Sequence, residues 1–288
     1  MRNVVASLRR ADRRYMVFME TISERQRWSR LKRPLYYALF RHNQRCIEAV
    51  LAAGSDTSNW VAARGLSRSR IFDFAYFLPS SKTQLVPRHD DEPYRLLYVG
   101  SLIPRKRVRL IIEALSGLPD CVTLDIVGDG PLRPELQTLA DRTAPGRVVF
   151  HGVRPMPEIS DFMVKADCLV LASDHDGWGA VISEAMLVGT PVVCSDRCGA
   201  SVVVRASGRG KVFPTFVPGA CEDALREQVA LGPITFAERA SLAKWGGCLT
   251  EPAGAEYLDA IIAHVRHDAV RPIPPWAKLA EEVLSNRN

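Results

Sequence analysis

Two carboxylates stand eight residues apart in the stretch SDHDGWGAVISEAMLVGTPVV, residues 173–193, and glycines lie between them. Asp176 opens the glycine-bearing loop, and Glu184 falls inside the apolar run that follows. We expect that run to be a helix that begins near Gly179 and ends at Gly189, because glycine suits a left-handed helix C-cap. One carboxylate would then precede the helix, and the other would lie in its early turns.

This order of residues is suited to a phosphate that has a sugar on each side. Gly177 and Gly179 allow the backbone to approach a ligand, and the N–H groups of the first helical turn would point at its phosphate. Glu184 can accept hydrogen bonds from a vicinal diol such as that of a ribose, and Asp176 from hydroxyls of a second ring. Taken singly, either residue reads as an ordinary helix or turn residue. Their combination favours the ligand site.

Two further loops follow apolar runs. VGSLIPRKRVRL (99–110) places Arg105, Lys106 and Arg107 where cations can neutralise a diphosphate, although a solvated basic turn is the alternative. IVGDGPLRPEL (126–136) lacks the full G-x-G-x-x-G spacing, so it does not favour a dinucleotide dehydrogenase. We interpret it as a tight turn that walls the site.

The elements that position these loops form a regular pattern. Short Val-, Leu- and Ile-rich runs predict five strands, at 95–100, 123–128, 148–152, 168–173 and 191–195. Helix-compatible segments lie between them, at 108–118, 131–142, 156–167 and 180–189. This alternation predicts an α/β fold with a doubly wound parallel sheet over about 92–215, in which ligands bind beyond the carboxyl ends of the strands.

Residues 1–90 resemble part of a second α/β domain. The expected elements are a helix at 3–11, a strand at 13–21, a helix at about 24–44, a strand at 47–54, a helix at 57–65 and a strand at 70–77. Three strands make a poor independent sheet. We therefore predict a partial amino-terminal domain (1–90), a polar linker around 79–93, a ligand-binding domain (92–267) and a tail helix (268–288). Further helices are expected around 220–231, 235–245 and 253–267.

Composition limits the class of protein. The 288 residues are 47% apolar and 24% charged, which is ordinary for a globular protein in water. No apolar run reaches the roughly 18 residues of a membrane span, and the amino terminus lacks the apolar core of a signal peptide. The seven cysteines are scattered among apolar runs, so we expect buried thiols in a reducing cytoplasm and no metal site.

The charge is unevenly distributed. Residues 1–90 hold 17 Lys and Arg against seven Asp and Glu, whereas the rest of the chain holds 21 against 25. The densest part, ERQRWSRLKRPLYYALFR, mixes arginines with apolar residues as a basic amphipathic helix does. Such a helix can lie on an anionic membrane surface or pack one face on its own domain, and both alternatives stay open. No recognised motif supports nucleic acid as a partner.

The motifs YVGSLIPRKRVRLIIEAL, DIVGDGPLRPEL, VVFHGV, ADCLVLAS, DGWGAVISEAMLVGTPVVCSD, CGASVVV and GRGKVF together resemble the carboxyl-terminal domain of family 4 glycosyltransferases. The resemblance covers about residues 45–265. It implies a GT-B-like fold and transfer of a sugar from a nucleotide-diphosphate donor, usually with retention of anomeric configuration and without a metal or other cofactor. The donor would be UDP- or GDP-linked.

By this resemblance, Glu184 would hold the ribose, Asp176 the transferred sugar and Lys106 the diphosphate, and these are the expected catalytic residues. The complete donor-binding set that it implies is Gly100, Ser101, Arg105, Lys106, Gly128, Gly130, Asp176, Gly177, Trp178, Gly179, Ala180, Val181 and Glu184.

The chain departs from the family's pattern at several points. Ser101 stands where arginine is common, Arg107 where glycine is common, and Asp176 where glutamate is usual, which moves the carboxylate back by roughly 1.4 Å. By the same resemblance, we expect the chain to begin about midway through the family's amino-terminal domain. The alternatives to a transferase are therefore a nucleotide-sugar-binding module without turnover and a sugar-nucleotide epimerase. A lipid-linked or polysaccharide acceptor and a cytoplasmic, peripheral membrane location are expected by analogy.

Overall fold

The structure is a computed structural model that describes residues 11, 13–20, 34–35, 37–38, 41–80, 83–87 and 92–278. The helix predicted at 3–11, much of the one predicted at about 24–44 and residues 279–288 of the predicted tail helix lie outside the described residues.

The first sheet consists of three parallel strands in the order β1-β2-β3. They are β1 (Tyr15–Glu20), β2 (Ile47–Ala53) and β3 (Ile71–Phe74), and the helix α1 (Thr57–Ala62) connects the last two. All three predicted strands are confirmed. The third is shorter than predicted, because the chain beyond Phe74 leaves the ladder with β2 and runs toward the second sheet.

The second sheet consists of six parallel strands in the order β6-β5-β4-β7-β8-β9. They are β4 (Tyr94–Val99), β5 (Val122–Val127), β6 (Val148–Gly152), β7 (Cys168–Leu171), β8 (Val192–Ser195) and β9 (Gly210–Phe213). The five predicted strands are confirmed. The short edge strand β9 was not predicted, because GKVF has too few apolar residues to stand out from the glycine-rich turn before it.

The helices that follow cover this second sheet, except that the last of them packs on the first sheet. They are α2 (Val108–Ala114), α3 (Arg133–Thr143), α4 (Met156–Lys165), α5 (Ala180–Leu187), α6 (Ser201–Ser207), α7 (Ala220–Ala230), α8 (Phe236–Gly246) and α9 (Glu251–His267). Only α6 was not predicted, since its run of three valines has low intrinsic helix propensity and favours a strand. The predicted fold class, α/β with doubly wound parallel strands, is confirmed.

Burial explains why the central strands read as continuous apolar runs. Leu96, Leu97, Leu169 and Val170, on the neighbouring strands β4 and β7, are at most 1% exposed, because successive side chains point to opposite faces and both faces are covered. Six of the seven cysteines are likewise buried, and Cys121 is exposed. In the described part of the chain, no helix combines the length and the apolarity needed to cross a membrane.

The last helix returns to the first sheet. Tyr257 and Ile261 of α9 belong to the same buried cluster as Phe72 and Phe74 of β3. The Tyr257 hydroxyl also donates to the carbonyl oxygen of Asp73 at 3.0 Å. The carboxyl-terminal part of the chain therefore supplies one layer of the first sheet, and the domain boundaries expected at 90 and 267 stay a prediction.

Candidate functional site

The loop after β7 and the start of α5 lie where the order of the second sheet reverses. The chain runs outward from β4 through β5 to β6, and then returns to β7 on the other side of β4. Ligands of doubly wound sheets bind in the crevice at such a reversal, beyond the carboxyl ends of the strands. The predicted helix starts at Ala180 after Gly179, whose φ is 86°. It ends at Leu187, slightly earlier than expected, and Gly189 follows with positive φ.

Lys106 and Asp176, predicted from separate loops, form an ion pair. The Nζ of Lys106 contacts the Oδ2 of Asp176, and the two side chains are only 13% and 14% exposed. The backbone of Asp176 is also fixed, because its N–H donates to the Arg197 carbonyl and its carbonyl accepts from the Gly199 N–H, both at 3.0 Å. The structure therefore brings one cation and one carboxylate together in front of α5.

Glu184, the second predicted carboxylate, lies on the second turn of α5. Its side chain is partly buried, and burial raises the pKa of its carboxyl group. A carboxylate that has lost water in this way gains from hydroxyl donors that a ligand can bring. Ala180 and Val181, whose amides were predicted to contact the diphosphate, form the partly buried start of the same helix.

The two other predicted loops pack on each other. A Cβ on Gly128 would lie 2.0 Å from the Gly100 carbonyl oxygen, and one on Gly130 would lie 2.5 Å from that of Leu102. The Leu102 N–H also donates to the Asp129 carbonyl at 2.9 Å, and the Ser101 carbonyl accepts from the Tyr98 hydroxyl at 2.9 Å. These contacts support the interpretation of the 126–136 turn as a wall of the site.

The two arginines beside Lys106 donate hydrogen bonds to different parts of the chain. The Arg105 guanidinium donates to the His175 carbonyl at 2.9 Å, and the Arg105 carbonyl accepts from the Asp174 N–H at 2.8 Å. Arg105 therefore braces the loop that carries Asp176. Arg107 instead donates to the Thr215 carbonyl at 2.6 Å, and its φ of 51° lies in the left-handed region that glycine prefers.

Trp178, a residue of the predicted donor-binding set, has a buried side chain. Its indole is 1% exposed, and its Nε1 donates to the Ser183 hydroxyl at 3.0 Å. The ring lies between Tyr76 and Trp276, with centroid distances of 6.4 and 6.2 Å. A tryptophan beside glycines in a loop looks accessible in the sequence, but burial of its large apolar ring decides its orientation. Only its backbone is left for a ligand.

The sequence did not identify Glu20 and Tyr76, which face this loop from the first sheet. A Cβ on Gly177 would lie 2.3 Å from a carboxylate oxygen of Glu20, so that carboxylate sits directly on the loop. Burial raises the pKa of Tyr76, and its hydrogen bond to Glu20 and the charge of Asp176 raise it further. Glu20 ends the apolar run YMVFM, and the rule that ligands bind at carboxyl ends of parallel strands was a signal for it.

A loop of the first sheet touches the same glycine. A Cβ on Gly54 would lie 2.5 Å from the Gly177 carbonyl oxygen, and the Ser55 N–H donates to the Gly199 carbonyl at 3.1 Å. The ion pair of Asp56 with Arg197, at 3.3 Å, spans the same gap. The carboxyl ends of the two sheets therefore meet at residues 176–179. Within the described residues, no three His, Cys, Asp or Glu side chains gather as metal ligands would.

Comparison with known proteins identifies the family. Residues 82–239 match the family described as "Glycosyl transferases group 1". A GDP-mannose-dependent alpha-mannosyltransferase of Mycobacterium tuberculosis is 32% identical over 202 residues, which are 67% of this chain and 50% of the relative. The alpha-D-kanosaminyltransferase of Streptomyces kanamyceticus is 34% identical over 132 residues, 44% of this chain and 34% of the relative. The chain thus matches half or less of the length of these two relatives.

Solved structures share the fold. The lipopolysaccharide outer core galactosyltransferase WaaB has a TM-score of 0.72 at 17% identity, over 90% of this chain and 71% of that one. Anabaena HepE in complex with UDP has a TM-score of 0.70 at 17% identity, over 98% of this chain and 75% of that one. Since the family match covers more than half of the residues, the chain belongs to the group 1 glycosyltransferases.

Proposed function

We propose that this chain binds a nucleoside-diphosphate sugar at the meeting point of its two sheets and transfers the sugar to an acceptor. The observation that carries the proposal is the pairing of Lys106 with Asp176 in front of α5, which also bears Glu184. In this proposal a cation, two carboxylates and the N–H groups of a helix start bind one ligand. These are the groups that a diphosphate with a sugar on each side requires.

The donor is placed by the chemistry of each group. The diphosphate lies against Lys106 and the amides of Gly179, Ala180 and Val181. The ribose diol binds Glu184, and the transferred sugar binds Asp176. The GDP-mannose dependence of the mycobacterial relative and the UDP in the HepE structure support a guanine or uracil nucleotide.

Catalysis in this arrangement is electrostatic. Departure of the nucleoside diphosphate leaves negative charge on the β-phosphate, and Lys106 together with the start of α5 stabilises that charge as it develops. Loss of one such donor typically raises a barrier by about 3 kcal/mol. Lys106 exchanges its contact with Asp176 for the phosphate, which leaves Asp176 to accept hydroxyls of the sugar. No protein nucleophile is required when the acceptor attacks on the face that the leaving group departs, and such a reaction retains the anomeric configuration.

The acceptor approaches from the first sheet. Glu20 lies against Gly177 on that side and is hydrogen-bonded to Tyr76, and we assign this pair to the acceptor side of the site. A lipid-linked or polysaccharide acceptor is the proposed class. A cytoplasmic location at an anionic membrane face would suit the basic segment at 24–41, which lies mostly outside the described residues.

The second candidate function is a nucleotide-sugar-binding module without turnover of its own. It rests on the same geometry, in which Lys106 is paired with Asp176 in front of the helix that bears Glu184. The two candidates share the donor site and differ in whether sugar transfer follows binding.

Nucleotide binding is the first test. The chain is titrated with UDP, GDP and ADP by calorimetry and by thermal unfolding, and Glu184→Ala is titrated beside it. A nucleotide at 100 times its Kd stabilises the folded protein by about 2.7 kcal/mol. We expect one nucleotide to bind and Glu184→Ala to weaken it roughly 10- to 100-fold, because the variant loses hydrogen bonds to a charged acceptor.

Glu256→Ala, an exposed glutamate of α9, is the matched control and should bind as the wild type does. A folded protein that binds none of the three nucleotides contradicts the proposed donor site. Binding without release of nucleoside diphosphate from any nucleotide sugar, across lipid-linked and polysaccharide acceptors, favours the module.

A further inference from the structure

The described chain beyond α9 contacts the edge of the first sheet and then the proposed donor loop. We call residues 268–278 the strap and residues 176–179 the donor loop. The strap turns away from α9 at Asp268, whose φ is 52°. Arg271 then ties it to the edge of the first sheet, because its guanidinium donates to the Ser69 carbonyl at 2.8 Å and lies 4.3 Å over the Phe72 ring.

Trp276 is the point at which the strap meets the donor loop. Its side chain is only 3% exposed. Its ring centroid lies 6.2 Å from that of Trp178 and 6.5 Å from that of Phe77. Trp276 therefore touches both the donor loop and the segment that follows β3.

Trp178 is the anchor of the donor loop. Its neighbours Gly177 and Gly179 have no side chains, so the buried indole supplies the packing that holds this stretch. The indole donates to Ser183 on α5, and the Trp178 carbonyl accepts from the Ala200 N–H at 2.7 Å. Any movement of the indole consequently moves the backbone that joins Asp176 to the start of α5.

We propose that Trp276 is a positioning residue, which fixes the donor loop through Trp178 without touching the donor. This inference rests on the proposed function for its catalytic consequence. The physical reason is that Trp276 forms one wall of the indole's slot and Tyr76 another, so removal of Trp276 opens space beside Trp178. A shift of about 1 Å at a positioning group can lower a rate roughly 100-fold.

The simpler alternative is that Trp276 only stabilises the fold. Truncation of a buried tryptophan commonly costs about 3–5 kcal/mol wherever it lies. Stability alone does not separate the two roles. The test must therefore compare variants of similar stability and measure the donor loop itself.

The test uses the full chain with Trp276→Ala, the conservative Trp276→Phe, and two controls. Leu139→Ala opens a cavity on α3, where Leu139 is 3% exposed, and matches the loss of stability. Val270→Ala alters the strap at a side chain that is 91% exposed. Arg271→Ala, which removes the tie of the strap to the first sheet, replaces Trp276→Ala if that variant does not fold.

The first measurement is amide hydrogen exchange without any nucleotide, so it does not depend on the proposed function. We expect Trp276→Ala, or Arg271→Ala in its place, to speed exchange at 177–182 at least tenfold relative to Leu139→Ala. Exchange in the strands β4 and β5 should change by the same factor in Trp276→Ala and in Leu139→Ala. Trp276→Phe should restore most of the protection, since a phenyl ring fills much of the slot. Wild-type exchange at 177–182 in Trp276→Ala overturns the proposal, as does equal loss in Leu139→Ala.

The second measurement is the Kd of the nucleotide that the wild type binds, and kcat where turnover is found. We expect Trp276→Ala to bind the nucleotide at least tenfold more weakly or to have an at least tenfold lower kcat. For Leu139→Ala and Val270→Ala, we expect both quantities to stay within about twofold of the wild type. Equal losses in Trp276→Ala and Leu139→Ala overturn the positioning role. If the wild type binds no nucleotide, the proposed function fails, while hydrogen exchange still decides whether Trp276 holds the loop.

Discussion

The side chains of Lys106 and Asp176 are paired where neither has much contact with water. Breaking a buried pair by removal of one partner is costly, because the remaining charge stays desolvated. A diphosphate can replace the carboxylate as the partner of Lys106, and sugar hydroxyls can replace the ammonium as partners of Asp176. The site is therefore held together in the absence of ligand by the two groups that the ligand would separate.

Glu184 gives a prediction about pH, because burial raises the pKa of its carboxyl group in the folded protein. Between the ordinary pKa of glutamate, about 4.3, and the raised value, the folded state binds more protons than the unfolded state. The free energy of unfolding then falls as pH rises through this window. Above it, the charged Glu184 destabilises the protein. Glu184→Gln should accordingly be more stable than the wild type at neutral pH in the absence of nucleotide.

Urea unfolding at a series of pH values measures this effect. The advantage of Glu184→Gln should shrink as pH falls and vanish below about pH 4, where glutamate is protonated in both states. The same variant should bind nucleotide more weakly, so that stability and ligand binding change in opposite directions. A Glu184→Gln protein that is less stable than the wild type at neutral pH contradicts the assignment of Glu184 as a desolvated carboxylate.

At the scale of elements, the site depends on how closely two strand-to-helix loops approach. The loops after β4 and β5 touch at Gly100 and Gly128, and the φ of Gly128 is 132°. That contact fixes the distance between the loop that carries Lys106 and the loop after β5. A side chain at either glycine would push the loops apart.

Gly128→Ala tests this contact. The new Cβ would meet the Gly100 carbonyl oxygen, so we expect a loss of about 3 kcal/mol in the free energy of unfolding from overpacking and backbone strain together. Gly146→Ala is the matched control, since φ there is also positive, at 73°, but nothing lies within 4 Å of a Cβ. We expect Gly146→Ala to lower the free energy of unfolding by about 1 kcal/mol. Chemical denaturation measures both, and equal losses would refute the close-contact argument.

At the scale of the whole molecule, charge is separated between the two halves. Residues 1–90 hold 17 Lys and Arg against seven Asp and Glu, and the remainder is slightly acidic. An uneven distribution of this kind orients a protein on a charged surface, because each basic residue near an anionic membrane contributes about 1 kcal/mol. The basic residues belong to the same part of the sequence as the strands of the first sheet, from which the acceptor is proposed to approach.

Vesicle co-sedimentation tests the membrane proposal. We expect the chain to bind phosphatidylglycerol vesicles, not phosphatidylcholine vesicles, and to be released by high salt, which screens exposed charges. Serine in place of Arg25, Arg27, Arg30, Lys32 and Arg33 should abolish binding. Serine at Arg142, Arg154, Arg209, Arg226 and Arg266, in the other part of the chain, is the control. If the protein with the five substitutions at 25–33 still binds the vesicles at high salt, the binding is not electrostatic, and this contradicts the proposal.

Much of the fold and the centre of the site were predictable, because the signals are local. Largely apolar runs identify β4, β5, β7 and β8, since strands buried on both faces have few polar positions. The glycines around Asp176 and the apolar run after them located the start of α5. Lys106 and Glu184 stand at short, fixed distances from such elements, so their approximate positions followed once the parallel sheet was recognised.

Tertiary structure alone decided the contacts that join distant parts of the chain. Glu20 and Tyr76 reach the donor loop from the first sheet, and Trp276 reaches it from the strap, about 100 residues further along the sequence. The same aromatic rings pack against Trp178, whose burial the sequence did not predict. The sequence by itself determined which local segments could hold a phosphate and its sugars, because backbone propensity and apolar patterning act over a few residues. Packing of side chains across the two sheets, which no local pattern encodes, decided what surrounds and fixes them.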